Sequence, residues 1–135
     1  MIAQKAKKCY MAATVLIVDK HGIVRTALCQ WLEVVFPSIR VVEASNSADA
    51  LACINLQLPS LVIIDILAPG SNGVSATQQI RSALPQVPIV ILTMYEGEAY
   101  RAEALEAGAN VFILQREMYK ELIPNLRALL AKIEA

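Results

Sequence analysis

Apolar residues along the chain come in two rhythms. Unbroken runs, Thr14-Val15-Leu16-Ile17-Val18, Leu61-Val62-Ile63-Ile64, Ile89-Val90-Ile91-Leu92 and Val111-Phe112-Ile113-Leu114, show no alternation with polar residues. Such runs predict strands buried on both faces, the habit of a parallel sheet. A shorter segment, Arg40 to Ala44, predicts a further strand. Between the strands the spacing turns helical. Val24, Leu28, Trp31, Leu32 and Val35 form one stripe that Pro37 ends. Ser45-Asn46-Ser47 caps a second helix, carrying Ala48, Leu51 and Ala52 toward the core. Thr77, Ile80 and Leu84 share a face of a helix from Gly73 to Leu84. An alanine-rich helix from about Glu96 to Glu106 closes at Gly108, a left-handed C-cap. Leu122, Leu126, Leu129 and Ile133 mark the last helix.

Five strands alternating with five helices give an α/β fold: a doubly wound (βα)5 unit of flavodoxin-like order, a five-stranded parallel sheet with helices on both faces. Residues 1–13 read as a loose, lysine-bearing leader and 14–135 as one domain. In this topology Asp19, Asp65, Thr93 and Gln115 all stand where strands end, at the carboxyl rim where open α/β sheets collect ligands.

Composition narrows the functional classes. At 135 residues, 56% hydrophobic and 18% charged, the chain is no disordered segment. Twelve basic residues balance twelve acidic ones, so no global field draws it to nucleic acid or an acidic membrane. No apolar run is long enough to span a bilayer. Cys9, Cys29 and Cys53 are odd in number and lie far apart, as expected of reduced thiols in a cytoplasm. A flavodoxin-like nucleotide-binding enzyme would need a glycine-rich phosphate loop after the first strand. Asp19-Lys20-His21-Gly22 offers one glycine, which leaves that class the last alternative.

Leu16-Ile17-Val18-Asp19, Ile63-Ile64-Asp65 with Pro69-Gly70 and Gly73, Ile91-Leu92-Thr93, and Glu106-Ala107-Gly108-Ala109 together resemble the receiver domain of bacterial response regulators, over about Thr14 to Ile133. The resemblance implies a non-enzymatic, cytoplasmic signalling domain with Asp65 as phospho-acceptor, Asp19 as a metal-pocket acid, Thr93 as switch hydroxyl and Phe112 as switch aromatic. It also implies a magnesium site of Asp19, Asp65 and the backbone carbonyl of Leu67. The implied partners are a histidine kinase or other signalling protein, with a homodimer as an option, and the output face is that of the fourth helix, fifth strand and last helix. The segment Leu16 to Arg25 is similar to that of regulators with a C-terminal helix-turn-helix, so control of transcription is expected through a DNA-binding part outside this chain, which itself is not expected to touch nucleic acid.

The chain departs from the family's pattern twice. Lys20 stands where the family has a second acid, and Gln115 where it has a lysine. Counting Asp19, Lys20, Asp65 and Gln115 gives a pocket charge of minus one, against minus two for the usual three acids and one lysine. Exchanging an oxygen ligand for an ammonium weakens or abolishes magnesium binding. Two expectations follow for Lys20: it turns inward to neutralise Asp65, holding one signalling state without phosphate, or it faces solvent beside a decayed pocket. In either case a phosphorylation-independent docking module is the alternative function. His21 has no paired ligand and is expected to cap a helix, and Trp31 to pack in the core. Tyr95 and Tyr100 sit on a weakly anchored segment suited to a movable face, or on a plain surface helix.

Overall fold

The computed structural model describes residues 13–66 and 73–134. The apolar runs form β1 (Thr14–Val18), β2 (Arg40–Ala44), β3 (Leu61–Ile66), β4 (Ile89–Thr93) and β5 (Val111–Leu114). They pair in parallel in the order β2-β1-β3-β4-β5, which is the flavodoxin-like order. Every residue of β1, β3 and β4 is buried, because side chains alternate between two helical layers. Val15, Ile17, Leu61, Ile63, Val90, Leu92 and Ile113 meet Leu28, Leu32, Leu122, Leu126 and Leu130 of α1 (Gly22–Val35) and α5 (Met118–Glu134). Leu16, Val18, Val62, Ile64, Ile66, Ile91 and Phe112 meet Ala50, Ile54, Ile80 and Ala104 of α2 (Ser47–Leu56), α3 (Gly73–Ala83) and α4 (Glu98–Glu106). Each fully buried large aliphatic contributes about 1.5–3 kcal/mol. The two-sided core is therefore what makes the unbroken runs necessary.

Local chemistry closes the helices. Asn46 Oδ1 accepts the Asp49 N–H at 2.8 Å and the Asp49 carboxylate accepts the Ser45 N–H at 3.0 Å, a reciprocal cap for α2. The buried hydroxyl of Thr77 donates to the Gly73 carbonyl at 2.8 Å, so α3 carries a polar residue on its inner face without leaving it unpaired.

Ala13, the last residue of the expected leader, is 3% exposed, and its carbonyl accepts the Arg40 N–H just ahead of β1; residues 1–12 lie outside the described part. Other expectations are corrected by the packing. In α2 the inner face is Ala50 and Ile54, with Leu51 partly buried, while Ala48 and Ala52 are exposed; the helix is rotated from the expected stripe. Val24 is 43% exposed because it lies in the first turn of α1, near the open rim. α4 starts at Glu98, after Gly97, rather than at Glu96. Leu130 joins Leu122 and Leu126 in the last stripe, with Leu129 partly buried; the side chain of Ile133 lies outside the described set. Asp65 is the penultimate residue of β3, not its last.

Close approach explains one glycine. A Cβ at Gly73 would stand 2.5 Å from Ile66 Cδ1, so α3 begins against the strand end only because no side chain intervenes. Gly73→Ala is expected to lower stability by about 1–3 kcal/mol, the usual cost of overpacking. Urea unfolding with an unchanged m value checks this.

Candidate functional site

The register of β1 on β3 and of β3 on β4, with Val18 opposite Ile64 and Ile66 opposite Thr93, brings Asp19, Asp65 and Thr93 to one rim. Asp19 follows the last residue of β1 and is 1% exposed. Its N–H extends the ladder to Ala44 O at 3.0 Å. Its Oδ1 accepts the His21 N–H at 2.8 Å, a turn that also sets His21 as the N-cap residue of α1. The Asp19 carbonyl accepts Arg25 Nη1 at 2.7 Å, and Arg25 Nε pairs with Glu43 Oε1 at 2.9 Å. So four residues fix Asp19, of which the His21 N–H alone reaches its carboxylate. Its Oδ2, however, is buried with no hydrogen-bond partner among the described residues.

Asp65 is 8% exposed, and its Oδ1 accepts Gln115 Nε2 at 2.6 Å. Gln115 opens a short 3-10 turn (Gln115–Glu117) between β5 and α5, which carries its amide over the strand ends. Burial, and then the Asp19 side chain and charge beside it, push the Asp65 carboxyl up to about 7, against the opposite pull of the Gln115 hydrogen bond. A buried carboxylate raised in this way by a second one beside it favours a proton or a cation at the pair.

The donors suit a hard divalent ion. They are oxygens, one of them an orphaned buried Oδ2, and magnesium is commonly held by one or two carboxylates plus water and phosphate. Asp19 and Asp65 are the residues that would hold it. No group of three potential His, Cys, Asp or Glu ligands occurs among the described residues. Leu67, the expected carbonyl ligand, lies outside the described residues.

Lys20 is exposed and forms no ion pair with Asp65 among the described residues. The turn that ties His21 N–H to Asp19 places Lys20 at the surface, the solvent-facing alternative of the two, and an uncharged amide lies beside Asp65.

Thr93 is fully buried, with Oγ1 accepting the Tyr95 N–H at 3.1 Å. Its side chain also hydrogen bonds Tyr100, whose hydroxyl pKa is raised, chiefly by burial. Tyr100 packs edge-on against Tyr95 at 6.2 Å and against Phe112 at 6.0 Å, and the Arg101 guanidinium lies 5.6 Å over the Phe112 ring. Thr93 and Phe112, the expected switch pair, thus share Tyr100 as a neighbour. Trp31 is partly buried on the core and contacts Tyr119 at 5.5 Å. Sequence reasoning missed Arg25 and Arg101, whose partners lie elsewhere in the fold; neither has a local signature.

A family model described as the response regulator receiver domain matches residues 15–127. The response regulator protein VraR of Staphylococcus aureus (strain NCTC 8325 / PS 47) is 33% identical over 119 residues, covering 87% of this chain and 56% of VraR. The chain thus spans little more than half the length of the curated relatives it matches. Among solved structures, a two-component response regulator of the LuxR family from Aurantimonas sp. SI85-9A1 superposes with a TM-score of 0.78 at 33% identity, covering 89% of this chain and 86% of that one. A CheY-like receiver domain protein from Methanospirillum hungatei JF-1 gives a TM-score of 0.77 at 23% identity, covering 89% and 94%, a likeness of fold.

The raised carboxyl has a consequence for stability. A folded-state pKa above the unfolded one means that the native state binds the extra proton between about pH 4 and pH 7, so stability falls as pH rises through that window. Asp65→Asn removes this dependence, and its amide can donate to Asp19 Oδ2. The variant is expected to be more stable than the parent at pH 8 by on the order of 1–3 kcal/mol and nearly equal to it at pH 4. Denaturant unfolding at the two pH values checks both halves.

Proposed function

The chain belongs to the response regulator receiver domain family, and from that premise we propose that Asp65 is its phosphoryl acceptor, in a pocket where a glutamine replaces the family's lysine. The observation that carries this reading is the placement of Asp65: a nearly buried carboxylate on the carboxyl rim, with Oδ1 held by Gln115 and the Asp19 carboxylate beside it. With a phosphohistidine of a kinase as donor, an Asp65 oxygen forms the new P–O bond while the P–N bond breaks. The electron pair leaves with the imidazole nitrogen, which then takes up a proton.

Phosphoryl transfer of this kind is mainly positioning and charge compensation. Gln115 supplies positioning: its N–H fixes the carboxylate plane and can follow the transferred oxygens. It supplies no positive charge. A magnesium ion held by Asp19 and Asp65 would screen the two reacting anions. Lys20 withholds the third acid, so the ion is bound more weakly than in the family's usual pocket. Thr93 stands one strand over, within the set Tyr95, Tyr100 and Phe112, and its hydroxyl can trade those partners for a phosphoryl oxygen.

The signal leaves through α4, β5 and α5. The LuxR-family relatives support a role in transcription, exercised through a DNA-binding part outside this chain. No described helix is long and apolar enough to cross a membrane, consistent with a cytoplasmic domain that meets its kinase there. A second reading, docking without phosphorylation, draws on the Gln115 bond, which satisfies Asp65 Oδ1 with neither metal nor phosphate.

Intact-mass measurement after incubation with a small acyl phosphate and magnesium separates the two. One added phosphoryl group, absent in Asp65→Asn, is the expected result; no adduct at saturating donor would leave the docking reading. Lys20→Asp is expected to tighten magnesium binding about tenfold or more, since it restores an oxygen donor and reverses a nearby charge. A titration followed by NMR of the Asp19 and Asp65 amides reads this directly.

A further inference from the structure

A groove lies at the end of the sheet away from Asp65. Residues 35–38 lead from α1 into the amino end of β2, and Arg127, Leu130 and Ala131 stand in the carboxyl half of α5; between the two segments is an open-mouthed cavity of about 460 Å³. Its walls are mostly apolar. Phe36 and Leu130 belong to the buried core on the α1 and α5 side of the sheet, while Pro37 and Ala131 are exposed at the mouth.

One cation stands in this groove. The Arg127 guanidinium lies 5.4 Å over the Phe36 ring. Arg127 is otherwise exposed, with no ion pair or hydrogen bond among the described residues. Other arginines here use their donors fully: Arg25 bonds Asp19 O and Glu43 Oε1, and Arg81 makes five bonds to four acceptors, Gly108 O, Leu84 O, Val87 O and Asn110 Oδ1. Stacking on the ring fixes the plane of the Arg127 fork and leaves its N–H edge open. The half-buried Ser38 hydroxyl is a second polar group of the lining with no side-chain hydrogen bond among the described residues.

Chemistry and size narrow the occupant. Parallel N–H groups of a guanidinium match a carboxylate, and apolar walls match a hydrocarbon body. The volume falls within that of small-molecule sites, about 300–1,000 Å³. A protein partner would bury about 800 Å² over some 20–30 residues a side, far more than this groove presents. The chain's own amino-terminal residues carry Lys5, Lys7 and Lys8, the wrong sign for Arg127.

We propose that this groove binds a small apolar carboxylic acid as its anion, with Arg127 as the anchoring residue, in a site separate from the rim of Asp19 and Asp65. The site does not depend on phosphorylation of Asp65. Arg127 also has a structural role, because α1 has no basic residue in its last turn and Phe36 is its C-cap residue. That role acts on stability, so affinity is the quantity to measure.

An NMR titration of the chain with sodium benzoate at constant ionic strength, with benzyl alcohol as the neutral control, tests the proposal. Saturable shifts at Ser38, Arg127, Leu130 and Ala131 are expected, with a Kd of about 1 mM or tighter. Benzyl alcohol on the parent, and benzoate on Arg127→Met, are each expected to bind at least about tenfold more weakly, with Arg127→Lys between parent and Met variant because it keeps the charge without the fork. Ala131→Trp, which fills the mouth and leaves Arg127 in place, is expected to lose binding as well. It and the Lys variant carry the comparison if Arg127→Met does not fold. Absence of saturation at these residues, or equal binding of the alcohol, would overturn the site. Parent-like affinity in Ala131→Trp would overturn the groove, reducing the contact to an ion pair on the surface.

Discussion

Two carboxylates, Asp19 and Asp65, meet at the edge of a sheet whose strands are otherwise apolar and buried, and the surrounding structure is arranged to make that meeting tolerable. Asp19 is the better secured. It has the His21 N–H on one oxygen, and Arg25 on its carbonyl with Glu43 behind. Asp65 has one amide, from Gln115. Burial first, and then the Asp19 side chain and charge, push the Asp65 carboxyl up to about 7 against the pull of that single amide. A site that cannot hold both charges comfortably has an affinity for anything that removes one, whether a proton, a cation or a phosphoryl group that turns a carboxylate into an acyl phosphate.

Two routes lead from that rim to the surface, and they are unequal. Consecutive residues of the 3-10 turn, Gln115 and Arg116, reach Asp65 and Glu96 respectively. The Arg116–Glu96 pair is largely exposed, and exposed pairs of this kind contribute about 0–1 kcal/mol. The other route runs through Thr93, which is fully buried, to Tyr100 and the buried Phe112 ring. A displacement inside a packed interior must be passed on, since neighbouring side chains have no free volume to absorb it. Thr93 and its aromatic neighbours are therefore the stronger coupling, and the Gln115 turn a weaker one toward α5.

The sheet was legible from sequence because burial on both faces leaves no freedom in the pattern: a run such as Val62-Ile63-Ile64 is required by one layer or the other at each position. Topology then placed Asp19, Asp65, Thr93 and Gln115 together with no further information. Helix facing was less legible. In α2, Ala48, Ala50 and Ala52 are equivalent by hydrophobicity, and only packing against β1 and β2 selects Ala50 with Ile54. The side of Lys20 was not legible either, because a lysine tolerates both pocket and solvent, and the turn that decides it is made by the backbone of His21. Arg81 shows the limit most clearly. It reads as one more surface cation in the last turn of a helix, yet two of its four acceptors lie 27 and 29 residues away.

Lys20 and Gln115, read as letters, look like two separate defects. Their positions make them one compensated change. With Lys20 exposed, the pocket proper contains Asp19, Asp65 and an uncharged Gln115, a formal charge of minus two when both acids are ionised. The family's usual three acids and one lysine carry the same sum, so counting Lys20 as part of the pocket understates its negative charge. One acid and one base have left the interior together, and the electrostatic demand for a divalent cation is unaltered. On the proposed reading, what has changed is the number of groups that would meet it: two carboxylates to grip an ion instead of three, and a hydrogen bond instead of an ammonium to steady a transferred group. Long-range attraction is thereby preserved while short-range holding is reduced, which favours weak, fast-exchanging metal binding over its loss.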